Sequence, residues 1–206
     1  MKYIFMTGAP GSKWSSVSKN IYFSPSIDRT DASADREYYH DAPGTLQLMH
    51  MGAYFDPGME FGDFFNELPK YTKAECEREF DRPFSGTGVR IIKSHVFADH
   101  IDYIKDVWPD CPVVLIHRDN DSCLGWWVRS GHFNITYPNY NKYYVNLDRM
   151  AFLIDRQNAG IVAAVKKYNG SFPPNNRALA DILKIAPPPE EYFQDYKKSD
   201  IGIKVI

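Results

Sequence analysis

The chain has 206 residues, with 24 basic and 26 acidic side chains that give a formal charge of −2 at pH 7. This length fits one compact domain with a full hydrophobic core, and we predict that residues 1–206 form a single α/β domain. The slightly acidic balance argues against nucleic acid or an anionic membrane as a partner, so any anion must bind in a local pocket.

Three short apolar runs, each followed by a helix pattern, predict buried parallel strands of a doubly wound α/β fold. The strands are predicted at residues 3–6, 89–92 and 113–116, and helices after the first and third at 14–21 and 124–129. We expect the helix after the second strand to be capped by Asp99 and to stop before Pro109. Ligands of such folds bind at the carboxyl ends of the strands.

The second half of the chain contains two further helix patterns. A long amphipathic helix is predicted at residues 147–168, closed by Asn169 and Gly170, and a shorter one at 178–185. After Ile201 the tail becomes weakly strand-like.

Residues 24–71 differ from the rest, because they are rich in glycine, proline, aspartate and aromatic side chains and lack a sustained period. A segment of this length between two strands is more often functional than idle. We predict that it covers the active site and recognises a cationic, aromatic or sugar-like substrate; an irregular satellite with its own small core is the alternative. The side chains behind this prediction are Tyr54, Phe55, Asp56, Glu60, Phe61, Asp63 and Phe64.

Residues 8–16, Gly-Ala-Pro-Gly-Ser-Lys-Trp-Ser-Ser, connect the first predicted strand to its helix. Glycines let successive N–H groups turn toward an anion, and the helix N-terminus and Lys13 add positive charge. The loop departs from the Walker A pattern, because Ser12 precedes the lysine and Trp14 stands where a magnesium-binding hydroxyl is needed. It therefore predicts a phosphate or sulfate ester bound without Mg²⁺, with a plain Gly-Pro turn as the alternative.

Basic side chains close the other two predicted strands. Lys93 and His95 are two residues apart in an extended segment, so we expect both side chains on one side, at one reacting centre. The imidazole can accept a proton from a hydroxyl, and the ammonium can stabilise anionic oxygens. Arg118 offers a planar fork for a phosphate, with a salt bridge to Asp119 or Asp121 as the alternative.

In their order along the chain, these pieces resemble the family of sulfotransferases that use 3′-phosphoadenosine-5′-phosphosulfate (PAPS). That family has a 5′-phosphosulfate loop of the type T-Y-P-K-S-G-T-T-W, then strands ending in K-T-H-L-P and in R-N-P-x-D. The counterparts here are residues 7–15, 93–97 and 118–121. The resemblance implies a P-loop-NTPase-like sulfotransferase fold, PAPS as donor, its desulfated form PAP as product, no metal, and a small-molecule or carbohydrate acceptor.

The resemblance also implies a role for each side chain. His95 would be the general base, Lys13 would contact the bridging oxygen and the sulfonate, and Lys93 would assist. Arg118 would hold the 3′-phosphate. The loop residues that would bind the 5′-phosphosulfate are Gly11, Ser12, Trp14, Ser15 and Ser16.

Two family features have no direct counterpart in this chain. Trp126 occupies the place of a serine expected about eight residues after the arginine, so Ser122 and Trp126 are assigned to the donor site, with Ser130 as a further candidate. The family's C-terminal R-K-G-x-x-G-D-W loop is also missing, and the Lys197–Lys198 pair is the basic feature nearest to it.

Two other functions stay open at this point. A P-loop kinase acting on a small molecule or nucleotide would share the fold, and a non-catalytic nucleotide-binding protein would keep the shell without the chemistry. The cysteines, Cys76, Cys111 and Cys123, predict reduced and buried thiols, because no two are at CxxC spacing. A cytoplasmic location is expected, because the early Gly and Pro interrupt any signal-peptide core.

Overall fold

The fold is built around a four-stranded sheet. The computed structural model describes residues 1–39, 48–129, 142 and 144–206. The strands are β1 Tyr3–Gly8, β2 Tyr38–Tyr39, β3 Leu48–His50, β4 Arg90–Lys93, β5 Val113–His117 and β6 Gly202–Val205. The main sheet has the order β4-β1-β5-β6, and β2 pairs with β3 separately. β1 is parallel to β4 and β5, whereas β6 is antiparallel to β5.

The α/β class and the three predicted parallel strands are thus confirmed, and an antiparallel edge strand is added to them. The strand-like tail after Ile201 returns along β5 as β6, in a register that sets Gly202 opposite His117. An antiparallel neighbour at the edge of a parallel sheet needs no crossover helix, so a short tail is enough to form it.

Helices flank the sheet on both faces. They are α1 Trp14–Tyr22, α2 Lys73–Asp81, α3 Ile101–Val107, α4 Asn120–Arg129, α5 Leu147–Lys167 and α6 Asn176–Leu183. The predictions for α1, α5 and α6 agree to within about two residues, which is the usual uncertainty at helix ends. α4 begins four residues earlier than predicted, because the Asp119 carboxylate accepts the N–H of Ser122 at 2.8 Å.

The predicted cap of α3 is wrong. The N-cap is His100, and Asp99 instead ends a 3-10 turn, Val96–Asp99. The Asp99 carboxylate accepts hydrogen bonds from Arg156 on α5 at 2.6 and 2.9 Å. A partner from another helix has therefore replaced the local capping bond that the sequence pattern suggested.

The alternation of side chains along β1 divides the core into two layers. Ile4 and Met6 face α1, α4 and α6, whereas Tyr3 and Phe5 face α2 and α3. The second layer is aromatic, with ring centroids 5.5–6.3 Å apart. Its central rings are Phe5, Phe55, Phe65, Phe80 and Phe97.

The segment of residues 24–71 contributes to this aromatic layer, although its residues 40–47 lie outside the described part. Phe55 and Phe61 are buried in the core, so part of the aromatic content of this segment serves packing. The N–H of Phe55 donates to the carbonyl oxygen of Lys93 at 2.9 Å, which places the segment beside the end of β4.

The prediction of buried, reduced cysteines is confirmed. All three cysteines are buried and unbridged. No helix within the described residues is long and apolar enough to cross a membrane.

Candidate functional site

The loop after β1 turns tightly into α1 and packs against α4. Gly11 has a φ of +78°, and a Cβ on it would lie 2.0 Å from the carbonyl oxygen of Cys123, so only glycine fits this position. Lys13, the N-cap of α1, also has a positive φ of 64°. This bend directs the amino end of α1 toward the carboxyl edge of the sheet, where anions bind in folds of this type.

The amino end of α1 offers hydrogen-bond donors to an anion. The first N–H groups of a helix have no partner within it, and Lys13 provides no side-chain cap. Ser12 is fully buried, and its Oγ has no hydrogen-bond partner within the described part of the chain. Ser15 and Ser16 lie in the first turn of α1. The N–H of Ser12, in contrast, already donates to the carbonyl oxygen of Ala9 at 3.0 Å.

Two basic side chains meet on one carboxylate beside this loop. Lys13 Nζ lies 2.7 Å from Asp200 Oδ1, and Arg118 Nη2 and Nε lie 2.5 and 2.8 Å from Asp200 Oδ2. Arg118 Nη1 also donates to the carbonyl oxygen of Gly11 at 3.0 Å. We call Lys13, Arg118 and Asp200 the anion cluster. The alternative of a salt bridge for Arg118 is realised, but with Asp200 rather than with Asp119 or Asp121.

The electrostatics of the anion cluster favour a charged carboxylate. Burial alone would raise the pKa of Asp200, but hydrogen bonds from Lys13 and Arg118 outweigh it and hold the pKa below its ordinary value. At neutral pH the cluster thus contains two cations and one anion.

Trp126 on α4 borders the anion cluster. Its ring centroid lies 5.6 Å from Lys13 Nζ and 5.9 Å from Arg118 Cζ, at the outer limit of a cation–π contact. Ser122, the other residue assigned to the donor site, has its N–H bonded to Asp119 at the start of α4. Ser130 lies outside the described residues.

His95 contacts the same loop from the side of β4. Its Nδ1 is hydrogen-bonded to the carbonyl oxygen of Gly8, and its ring centroid lies 4.8 Å from that of Trp14 and 5.6 Å from that of Tyr54. Because a carbonyl oxygen only accepts, the neutral imidazole carries its proton on Nδ1 and leaves Nε2 as the basic nitrogen. Burial lowers the pKa of His95 below its ordinary value, opposed by Asp56, and therefore favours the neutral form of the ring.

A buried carboxylate anchors the turn that presents His95. Asp56 accepts the hydroxyl of Ser94 at 2.6 Å and the N–H groups of His95 and Val96 at 3.3 Å each. Burial raises the pKa of Asp56 above its ordinary value, against the opposing effect of His95. The sequence pattern suggested Asp56 only as part of a substrate-recognition segment, and the structure places it against the main chain of the turn that carries His95.

Lys93 lies at a different place from His95. Its ammonium donates to the carbonyl oxygen of Met51 at 2.6 Å and lies 6.0 Å from the ring of Tyr22, the last residue of α1. His95 contacts Trp14, the first residue of α1, and eight residues of helix span about 12 Å. The two side chains do share one face of the sheet, but they contact opposite ends of α1.

The structure therefore brings together Lys13, Arg118 and Trp126, and His95 contacts the same loop at Gly8 and Trp14. Sequence reasoning missed Asp200, because nothing in its neighbourhood indicates a partner so distant in the chain. The helix α2 was not predicted either, although the sequence contains a local signal for its start. Thr72 and Glu75 form a capping box there.

Comparisons with known proteins identify no relative. No family model, no curated protein and no solved structure matches the chain. Within the described residues, no group of three or more His, Cys, Asp or Glu side chains is arranged to hold a metal ion.

Proposed function

We propose that this chain is a sulfotransferase that moves the sulfonate group of PAPS to a hydroxyl or amine of an acceptor molecule. The observation that carries the proposal is the anion cluster, in which Lys13 and Arg118 hold a carboxylate beside the open amino end of α1. Anionic oxygens of a ligand can take the place of that carboxylate on Lys13 and on Arg118.

The donor is a nucleotide with two phosphate positions, and the site has two groups suited to them. The loop N–H groups and Lys13 bind the 5′-phosphosulfate, and Arg118 binds the 3′-phosphate. The indole of Trp126 lies within cation–π distance of both basic side chains, and we assign it to contact the adenine of the donor.

The proposed transfer proceeds in one in-line step. His95 Nε2 takes the proton of the acceptor hydroxyl or amine. The acceptor oxygen or nitrogen forms a bond to sulfur, and the bond between sulfur and the 5′-phosphate oxygen breaks, which releases PAP. Lys13 stabilises the charge that develops on that oxygen. Because Nδ1 is bonded to Gly8, we assign this role to Nε2.

Lys93 receives no part in the transfer in this proposal. The residue is 1% exposed, and its ammonium is bonded to the main chain and lies at the far end of α1 from Trp14. We assign it instead to holding Met51 and the segment next to it against β4.

The test is a calorimetric titration of the protein with PAP in the absence of metal, set against ATP with Mg²⁺. We expect PAP to bind and Arg118→Met to weaken that binding by about 1.5–3 kcal/mol, as for a hydrogen bond to a charged group. His95→Gln should leave PAP affinity unchanged, because the base acts on the acceptor. Arg156→Met is the matched control, since it removes an arginine paired with an aspartate elsewhere on the surface.

Each outcome distinguishes among the candidate functions. Binding of ATP with Mg²⁺ but not of PAP would move the assignment to a kinase, and binding of neither would leave a shell without nucleotide chemistry. Equal loss of PAP binding in the Arg118 and His95 variants would contradict the roles given to them.

A further inference from the structure

Asp200 is the one member of the anion cluster that does not come from a strand-end loop. It lies between the 3-10 turn Tyr196–Lys198 and β6, on the tail of the chain. Its carboxylate contacts Lys13 and Arg118 at 2.5–2.8 Å, so it occupies the position that an anionic ligand of the same two cations would need.

The two sides of this contact differ in how easily they can move. The Arg118 side chain is only 6% exposed, and its guanidinium is also held by the carbonyl oxygen of Gly11. The Asp200 side chain is 43% exposed, so its carboxylate is already partly hydrated and can move into water easily. Displacement would therefore move Asp200 and leave Arg118 in place.

The movement can also stay local. β6 remains paired with β5 from Gly202 onward, and the hydroxyl of Ser199 donates to the carbonyl oxygen of Tyr196 at 2.7 Å. Only the short stretch around residue 200 has to shift for the carboxylate to leave the cations.

We propose that Asp200 is an internal competitor for the anion site, a latch that holds Lys13 and Arg118 when no donor is bound and is displaced when the donor phosphate arrives. The proposal rests on the function proposed above, because the displacing ligand is the nucleotide. In the unliganded protein Asp200 is the counter-ion of Arg118, which is nearly buried and would otherwise lack one in this pair. The two phosphate groups of the donor, with more charge and more oxygens, replace it on Lys13 and on Arg118.

The experiment compares PAP binding by the wild type, Asp200→Asn and Asp195→Asn with calorimetry. A latch that is closed nine-tenths of the time weakens apparent affinity about tenfold, so Asp200→Asn should bind PAP about tenfold more tightly. Asp195→Asn is the matched control, because it removes one carboxylate from the same tail without touching Lys13 or Arg118. Its carboxylate bonds to the N–H of Lys197 instead.

A second measurement uses the wild type alone, so that a poorly folded variant does not decide the matter. On saturation with PAP, hydrogen exchange of the amides at residues 199–201 should become faster, while exchange in the loop at 11–16 becomes slower. Slower exchange in both places would overturn the latch and show that the ligand tightens the tail.

The remaining outcomes separate the two proposals. If the wild type binds PAP and Asp200→Asn binds it equally or more weakly, the latch is wrong and the donor assignment stands. If neither binds PAP, the donor assignment is wrong, and inorganic pyrophosphate becomes the probe. A tenfold gain for pyrophosphate in Asp200→Asn then supports the latch, and no gain overturns it.

Discussion

Two lysines lie near opposite ends of α1, and their surroundings differ in burial and in the kind of partner. Lys13, at the amino end, has a side chain that is 31% exposed and pairs with the movable carboxylate of Asp200. Lys93, near the carboxyl end, is fully buried and donates to a main-chain carbonyl oxygen. Burial lowers the pKa of Lys93 to about 8, against the opposing charge of Asp31.

The difference shows why a lysine at a strand end is not by itself a ligand-binding group. A cation can exchange its partner for a ligand only when that partner can leave and solvent can enter. Lys13 meets both conditions, because its partner is a half-exposed side chain. Lys93 meets neither, because its partner belongs to the backbone of the core.

The largest effect is expected from Gly11→Ala, which disrupts the anion cluster without removing a charge. The new Cβ would lie 2.0 Å from the Cys123 carbonyl oxygen, on a backbone with a φ of +78°. We expect a loss of about 3–5 kcal/mol in the free energy of unfolding, measured in urea, from the clash and the backbone strain.

The matched control for that substitution is Gly125→Ala on α4. A Cβ there has its nearest neighbour, a nitrogen of Arg129, at 3.7 Å, which is an ordinary contact. Replacing a helical glycine by alanine should stabilise the protein by about 0.5–1 kcal/mol. A similar response of the two glycine variants would contradict the packing of the loop against α4.

A smaller effect, and one that depends on pH, is expected from Lys93→Met. The folded pKa of Lys93 is about 8 and the unfolded value 10.5, so between these pH values the unfolded chain binds more protons and the wild type gains stability as pH rises. Over that window the gain amounts to about 3 kcal/mol at most. Lys93→Met lacks this gain, so the stability of the wild type relative to the variant should rise from pH 8 to pH 10.5.

PAP binding should depend on Lys13 and not on Lys93, whereas the pH dependence of stability depends on Lys93. Lys13→Met should weaken PAP binding by about tenfold or more, as for a charged hydrogen bond, whereas Lys93→Met should leave it unchanged. The comparison of the two lysines would be refuted in either of two ways. The stability difference between wild type and Lys93→Met could stay constant from pH 8 to pH 10.5, or Lys93→Met could lose PAP binding.

The smallest effect is expected from Ser12→Ala, which tests the loop without changing charge. Its Oγ is buried with no hydrogen-bond partner in the described part of the chain, so its removal should change the free energy of unfolding by less than about 1 kcal/mol. PAP affinity should nevertheless fall severalfold, because in the proposed site the Ser12 hydroxyl donates a hydrogen bond to a phosphate of the nucleotide.

Ser24→Ala provides the contrast for that serine. Its Oγ donates to the carbonyl oxygen of Ala186 at 2.6 Å and accepts the N–H of Ser26 at 3.2 Å. We expect that variant to lose about 1–2 kcal/mol of stability, because buried groups lose their partner. Equal stability losses in the two serine variants would mean that Ser12 Oγ has a partner in the unliganded protein.

Much of the fold could be predicted because its signals are local. The apolar run of β1, the glycine-containing loop after it and the 3.6-residue period of α5 each depend on neighbours within a few residues. Asp99 shows the limit of such reasoning, because its local capping signal was outweighed by two hydrogen bonds from Arg156, 57 residues away.

The sequence by itself determined where the strands end, which basic and imidazole side chains stand at those ends, and that position 11 is a glycine. Only the tertiary structure decided which charges meet: Asp200 is 187 residues from Lys13 and 82 from Arg118. It also decided that Lys93 is buried while Lys13 is not. The reason is that ion pairing and desolvation depend on distance in space and on exclusion of water, which no spacing along the chain encodes.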